Sequence, residues 1–316
     1  RIAVSRSEQP AATMLYNSLL SGLMSAGAEI YDFGSSLLPV TRSAIRFYRL
    51  FGGIHINAVP DDDTFRIYIS FLDETGGDIS RAQERNIENA FEREDFLRSE
   101  GSNIKNIVSL HNYKHFYMRE IIARTKNIPL RSKVLVNINS HIGETILRQL
   151  SSDLGLNITI SNFNTVRGID KSLSSIQRAV KDGGFELCAV IDSSCDRLTL
   201  IDENCRVIDE NMMWFLNSLI TFKTEKDATV AVPVNAPSVI EKLALQYGAK
   251  VVRTKTAVSD VMKQIITLGG RDQFILNFDA IGALLQTIDF MKESQMSLAQ
   301  IIDSIPDYHI KECEVA

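Results

Sequence analysis

One alternation of apolar and polar positions recurs three times along the chain. Ile2-Ala3-Val4 leads into a stretch with Ala12, Leu15, Leu19 and Leu23, then Gly27 and the apolar run 28–33. Residues 134–138 lead to Ile146, Leu147, Leu150 and Leu154, then Gly155 and a second run at 157–160. Residues 229–234 lead to Val239, Ile240, Leu243 and Tyr247, then Gly248 and Lys250-Val251-Val252. Each middle stretch repeats apolar residues at about every fourth position, which gives a helix one buried face. Each ends near a glycine suited to a left-handed cap. Pro10 and Pro237 fall where a first helical turn tolerates proline. Strand, amphipathic helix, glycine and strand make a βαβ unit, and such units imply mostly parallel sheets covered by helices. The pattern predicts an α/β protein with three repeated domains at 1–110, 111–212 and 213–316, about one hundred residues each.

The connecting stretches are also legible. Residues 65–71 read as a strand that turns through 73–77. Ser80 with Gln83 forms a capping-box signature for a charged helix over 81–98, with Ile87 and Phe91 expected inward. Residues 101–112 read as a boundary, followed by a helix using Tyr113, Phe116, Tyr117 and Ile121. Residues 187–191 and 198–201 read as strands around the polar loop 192–197. A turn at 202–205 then makes a hairpin with 206–208, and a helix around Trp214 opens the third unit.

Composition excludes several classes. Hydrophobic residues make up 45% and charged residues 23% of the 316, an ordinary globular balance. The net charge is −5, with no long basic run, so nucleic acid is not an expected partner. No apolar stretch reaches the ~18–20 residues of a membrane helix, and no signal peptide is legible. Cys188, Cys195, Cys205 and Cys313 match no zinc spacing and form no CxxC pair, so a reducing cytoplasm is expected. The abrupt start at Arg1 inside a strand, and the strand-like end at Ala316, suggest a fragment of a longer protein.

Three loops carry candidate chemistry. Asp192-Ser193-Ser194-Cys195-Asp196-Arg197 places two carboxylates four residues apart, directly after a buried strand. That suits a hard cation such as Mg²⁺, and equally a polar turn built on Asx and Ser chemistry. The stretch 52–63 is a glycine-led apolar strand emptying into a polar loop, where a parallel sheet presents ligand-binding residues. Within it His55 is an acid–base candidate or a structural histidine. Asp61, Asp62 and Asp63 would repel a phosphate unless a cation intervened. Gly269-Gly270-Arg271-Asp272 could touch a sugar or phosphate, or could be a hairpin.

Taken in order, these loops resemble those of the α-D-phosphohexomutases, the phosphoglucomutase/phosphomannomutase family, over essentially the whole chain. Arg6 falls where the family carries G-R-D. Residues 21–27, with Tyr31-Asp32-Phe33-Gly34 and Pro39-Val40, are close to its wording. The resemblance implies a phosphoserine in T-A-S-H-N-P, matched here by Asn57-Ala58-Val59-Pro60-Asp61-Asp62, so that Val59 stands at the serine position. It implies a Mg²⁺ loop D-G-D-x-D-R, matched by Asp192, Asp196 and Arg197, with Ser194 replacing the middle carboxylate and Ser193 the glycine. The sugar loop G-E-x-S-G-H is reduced to residues 269–272, and the family's fourth domain does not appear before Ala316.

The resemblance therefore implies a catalytically degenerate module, with no catalytic residue at Val59. It implies substrate contacts at Arg6, Arg197, Gly270 and Arg271, and a weakened Mg²⁺ site at Asp192, Ser194 and Asp196. Residues 84–96 and the altered GGIHI strand resemble the mutase-like region that follows a nucleotidylyltransferase in mannose-1-phosphate guanylyltransferase-like proteins. That implies a covalently linked nucleotidyltransferase domain, a sugar phosphate ligand and a role in nucleotide-sugar metabolism, with a homo-oligomer among the expected states. The competing readings are an active mutase with a displaced nucleophile at Thr64 or Asp61 to Asp63, and a binding or scaffold domain unrelated to sugars.

Overall fold

The computed structural model describes residues 1–61, 64–125, 133–163 and 172–305, and leaves the side chain of Asp61 undescribed. Cys313, Asp62 and Asp63 lie outside these residues.

The first unit runs β1 (Ile2–Arg6), α1 (Pro10–Ser25), β2 (Ile30–Ser35), α2 (Leu38–Tyr48), β3 (Gly53–Asp61), β4 (Thr64–Leu72), α3 (Arg81–Glu92) and the short β5 (Val108–Ser109). Its five-stranded sheet has the order β4-β3-β1-β2-β5. All neighbours are parallel except β3 and β4, which pair antiparallel. The second unit runs α4 (Lys114–Arg124), β6 (Lys133–Ile138), α5 (His141–Leu154), β7 (Asn157–Ser161), α6 (Leu173–Gly183), β8 (Leu187–Ile191) and β9 (Leu198–Asp202). Its four strands lie in the order β7-β6-β8-β9, with only the β8–β9 pair antiparallel. The third unit runs α7 (Glu210–Thr224), β10 (Thr229–Pro233), α8 (Val239–Gln246) and β11 (Lys250–Thr254). It continues as α9 (Val258–Thr267), α10 (Arg271–Phe278), α11 (Ala280–Ser294) and α12 (Leu298–Asp303).

The mixed, mostly parallel α/β architecture expected from the pattern is present. Gly27, Gly155 and Gly248 all take the left-handed conformation after their helices. The third unit departs from the repeat: β10 and β11 form a two-stranded parallel sheet, and the rest of the unit is helical. One apolar cluster threads all three units, from Ala3 through Val134 and Leu187 to Ile302, so the units share a core. Among the described residues no single helix is long and apolar enough to cross a membrane.

Four expectations need correction. α3 ends at Glu92, short of residue 98, and none of its twelve residues is buried; Ile87 and Phe91 face outward. Among the described residues nothing packs over that helix face to make it a core face. Phe116 is half-exposed, because Tyr117, Met118 and Ile121 take the buried side of α4. Residues 269–272 form no hairpin, since Arg271 and Asp272 open α10, a helix whose Phe274 and Phe278 fill a satellite core. Pro237 precedes Ser238, the residue that caps α8, and its carbonyl accepts from the Ile240 N–H.

Candidate functional site

The carboxyl end of β1 and the middle of β3 in the first sheet meet the carboxyl ends of β6 and β8 in the second. Open parallel sheets bind ligands at such ends, because the loops there leave backbone and side-chain polar groups unpaired by the ladder. A narrow polar cleft lies at this meeting, lined by Ser7, Glu8, His55, Asn57, Ser140 and Ser194 among others. It has room for about one water molecule.

Direct contacts hold the two sides together. The Asn57 amide donates to the Ser194 hydroxyl at 2.8 Å and to the Ser193 hydroxyl at 3.2 Å. The Glu8 carboxylate accepts from the His141 and Ile142 N–H groups at 2.8 and 3.4 Å, placing an anion on the positive end of α5. Ser140 caps the same helix through the Gly143 N–H.

The protonation of His55 follows from a chain of hydroxyls. Thr41 donates to the Leu37 carbonyl at 3.0 Å, which uses its only hydroxyl proton. The 2.7 Å contact between Ser5 and Thr41 must then use the Ser5 proton. The 2.8 Å contact between Ser5 and His55 is therefore donated by Nδ1–H, and Nε2 carries a lone pair. Burial pushes the His55 pKa down to about 3, with Arg42 adding to the shift, so the ring is neutral at physiological pH.

The loop 192–197 is wound on its own aspartate. Asp192 Oδ1 accepts from the Asp196 and Arg197 N–H groups at 2.8 and 2.9 Å. Cys195 takes a left-handed conformation with its side chain buried, and its carbonyl accepts from the Ala280 N–H. Asp196 meets Arg42, which is 2% exposed and bonds Asp196 at 3.2 Å, Asp78 at 2.8 Å and the Gly76 carbonyl at 3.0 Å. Burial raises the Asp196 pKa to about 6 against the opposing pull of Arg42. Asp192 is likewise raised by burial, while its backbone donors pull it down.

The fit to Mg²⁺ is poor. One oxygen of Asp192 holds two backbone amides, the Arg42 guanidinium covers Asp196, and Ser194 is bonded to Asn57. Among the described residues no three His, Cys, Asp or Glu side chains cluster so as to hold a metal.

The structure thus joins some of the sequence-derived residues and separates others. Asp192, Ser194 and Asp196 share one loop, and Ser194 touches the strand that carries Val59. Val59 lies within β3, paired with Arg66 in a continuous antiparallel ladder that runs to Asp61 and Thr64, so the expected strand of 52–63 continues to Asp61 before any loop and Val59 stands in regular strand. Arg6 ends β1, donates to the Ser7 carbonyl and lies 5.5 Å over the Tyr16 ring; its Nε is buried without a partner among the described residues. Arg197 is exposed beside a second hollow of about 400 Å³, which Asp209, Glu210, Trp214 and Phe278 help to line. Gly270 and Arg271 belong to a different surface: Arg271 pairs with Glu120 at 2.5 Å, and Asp272 pairs with Arg124, both on α4. Sequence reasoning missed Arg42, Glu8 and Ser140. The available signals were an arginine among the apolar positions Leu38, Val40, Ala44 and Ile45, and polar residues directly after parallel strands.

This arrangement defines a phosphohexomutase-type α/β fold. A protein of the phosphoglucomutase/phosphomannomutase family from Burkholderia thailandensis matches 97% of this chain and 71% of its own, with a TM-score of 0.80 at 15% identity. The pp63/parafusin phosphoglucomutase of Paramecium, in its open form, matches 96% of this chain and 66% of its own, with a TM-score of 0.69 at 12% identity. Residues 1–98 match the phosphoglucomutase/phosphomannomutase alpha/beta/alpha domain I. The phosphoglucomutase/phosphomannomutase of Thermococcus kodakarensis is 23% identical over 98% of this chain and 72% of its own length. The phosphoglucosamine mutase of Aliarcobacter butzleri is 25% identical over 98% and 74%. The chain spans about three quarters of the length of these two curated relatives. Residues 1–98 thus resemble that family's domain I, and the chain as a whole resembles its members in fold.

Proposed function

We propose that this chain is a phosphohexomutase-like module that has lost phosphoryl transfer and serves nucleotide-sugar metabolism beside a sugar-1-phosphate nucleotidylyltransferase. The observation that carries the loss of transfer is Val59. It has no oxygen to accept a phosphoryl group, and it sits in a regular ladder opposite Arg66. Two residues earlier on the same strand Asn57 makes a neutral contact with Ser194, and the Arg42 guanidinium is the cation paired with Asp196.

A displaced nucleophile fares poorly on distance. Asp61, the ladder partner of Thr64, lies four residues beyond Asn57 along β3. At ~3.3 Å per residue this is ~13 Å from the Asn57–Ser194 contact, whereas in-line transfer needs reacting atoms within about 3.5 Å. The cleft is lined by hydroxyls and amides with Glu8 as its charged group. It favours a sugar hydroxyl or water over a phosphate, so hexose phosphates bind weakly.

The link to a nucleotidylyltransferase rests on the wording of residues 84–96 and the GGIHI strand. Intact mass of the protein isolated from its source, with a nucleotidylyltransferase assay on that material, tests the link. Incubation of this chain with a hexose bisphosphate, followed by intact mass, tests the loss of transfer. No phosphate adduct is expected; a stable adduct on any residue overturns the reading.

A further inference from the structure

The polar cleft leaves hydrogen-bonding capacity unused, and in both senses. The Ser193 and Ser194 hydroxyls each accept from the Asn57 amide, so each keeps its own proton to donate, and neither proton finds an acceptor among the described residues. The Asn57 Oδ1 finds no donor among them, nor does the lone pair of His55 Nε2, and both residues line the cleft. Asn57 is 4% and His55 1% exposed, and polar groups so buried are normally satisfied. All four groups are neutral. Donors and acceptors side by side match a ligand hydroxyl, which donates and accepts at once. The cleft has room for about one water molecule, so one hydroxyl can enter while the body of its molecule stays outside.

The β3–β4 hairpin supplies a surface for that body. In an antiparallel pair, residues directly opposite share one face, with Cβ atoms about 4.5–5.5 Å apart. Tyr68 lies opposite Asn57, so its ring stands on the face that meets the 192–197 loop. Ile67 points to the other face and packs with Ala58 in the cluster beneath α1. Tyr68 is 48% exposed, and its hydroxyl has no partner among the described residues. Arg66, the next residue on the Tyr68 face, is not a free cation.

A tyrosine at a wet seam offers an apolar plate with a polar tip. A pyranose matches it, because the C–H groups of one ring face can lie on the plate while the hydroxyls point sideways. We propose that this seam binds an unphosphorylated hexose unit, with its ring on Tyr68 and one hydroxyl inserted among Asn57, Ser193, Ser194 and His55. Tyr68 then decides which ligands stay, since the cleft alone holds no more than a single hydroxyl. The assignment rests on the reading of the cleft as one that takes a hydroxyl in preference to a phosphate.

An NMR titration of the chain with methyl α-D-glucopyranoside and methyl α-D-mannopyranoside tests it, with the 6-phosphates of the two hexoses alongside. At least one glycoside is expected to give saturable shifts of the Asn57 side-chain amide and of the Ser193 and Ser194 backbone amides. Tyr68→Ala is expected to weaken that binding about 5-fold or more, and Tyr68→Trp to restore it. Unchanged resonances far from the hairpin check that both variants fold. No saturable shift with either glycoside, or binding that Tyr68→Ala leaves unaltered, would overturn the proposal; in the second case the reading of the cleft still stands. Hexose 6-phosphates that bind more tightly than the glycosides would overturn the reading of the cleft, and the proposal with it.

Discussion

Replacing Arg42 by methionine tests the node that ties the three units together. The guanidinium is 2% exposed and joins α2 to Asp196 of the second unit and to Asp78 and Gly76 in the turn after β4; Met262 of α9 lies against it. Methionine fills much of the volume but leaves Asp196, 14% exposed, without its counter-charge. Removing one partner of a buried ion pair costs ~3–5 kcal/mol, because the other charge stays desolvated. For a chain of this length ~2 °C of Tm per kcal/mol gives a fall of ~6–10 °C.

The loss carries a pH signature. The folded Asp196 carboxyl lies near 6 by burial, and Arg42 holds it down. Without Arg42 it rises further above its unfolded value of ~3.9. A carboxyl whose folded pKa is raised destabilises the native state at pH above that pKa and is relieved as pH falls through it. Thermal and urea melts should therefore show a larger deficit at about pH 8 than at about pH 5. Arg42→Met combined with Asp196→Asn should recover at least ~1 kcal/mol over the sum of the single variants. An equal deficit at both pH values, or one below ~1 kcal/mol, would refute the reasoning.

Three further outcomes follow from the same geometry. Val59→Ser should cost about 1 kcal/mol in a urea melt and still give no phosphoenzyme with a hexose bisphosphate, because the ladder with Arg66 holds residue 59 in strand geometry. Gly76→Ala should destabilise by ~2 kcal/mol or more in the same melt, since Gly76 has φ +77° and an added Cβ would sit 2.5 Å from the Arg42 carbonyl oxygen. Nitrogen-detected NMR should find His55 as the neutral Nδ1–H tautomer between about pH 5 and 8. The unfolded His55 takes a proton before the folded ring, whose pKa lies near 3, so stability from this group is lost as pH falls below ~6.5.

Much of the fold was legible because the signals were local. Spacing of Leu147, Leu150 and Leu154 with Gly155 defines α5 and its end without reference to any neighbour, and the Ser80–Gln83 box defines the start of α3. The end and orientation of α3 were not legible. Ile87 and Phe91 look inward by period alone, yet no tertiary surface among the described residues receives them. The candidate site was readable only in part for a similar reason. Asp192 and Ser194 announce a polar loop, but the contacts from Asn57 and Arg42 span 137 and 154 residues of sequence. Only the folded chain brings such groups together. Residues 269–272 misled in part: the diglycine is a turn as it reads, but it joins helix α9 to helix α10 and not two strands.

The central claim is that the mutase frame is kept without the mutase reaction. Its most direct test is a coupled assay for conversion of a hexose 1-phosphate to the 6-phosphate, run on the full-length protein with a bisphosphate activator and Mg²⁺. The account predicts no turnover above the enzyme-free control. Robust turnover, abolished by removing the bisphosphate, would contradict it.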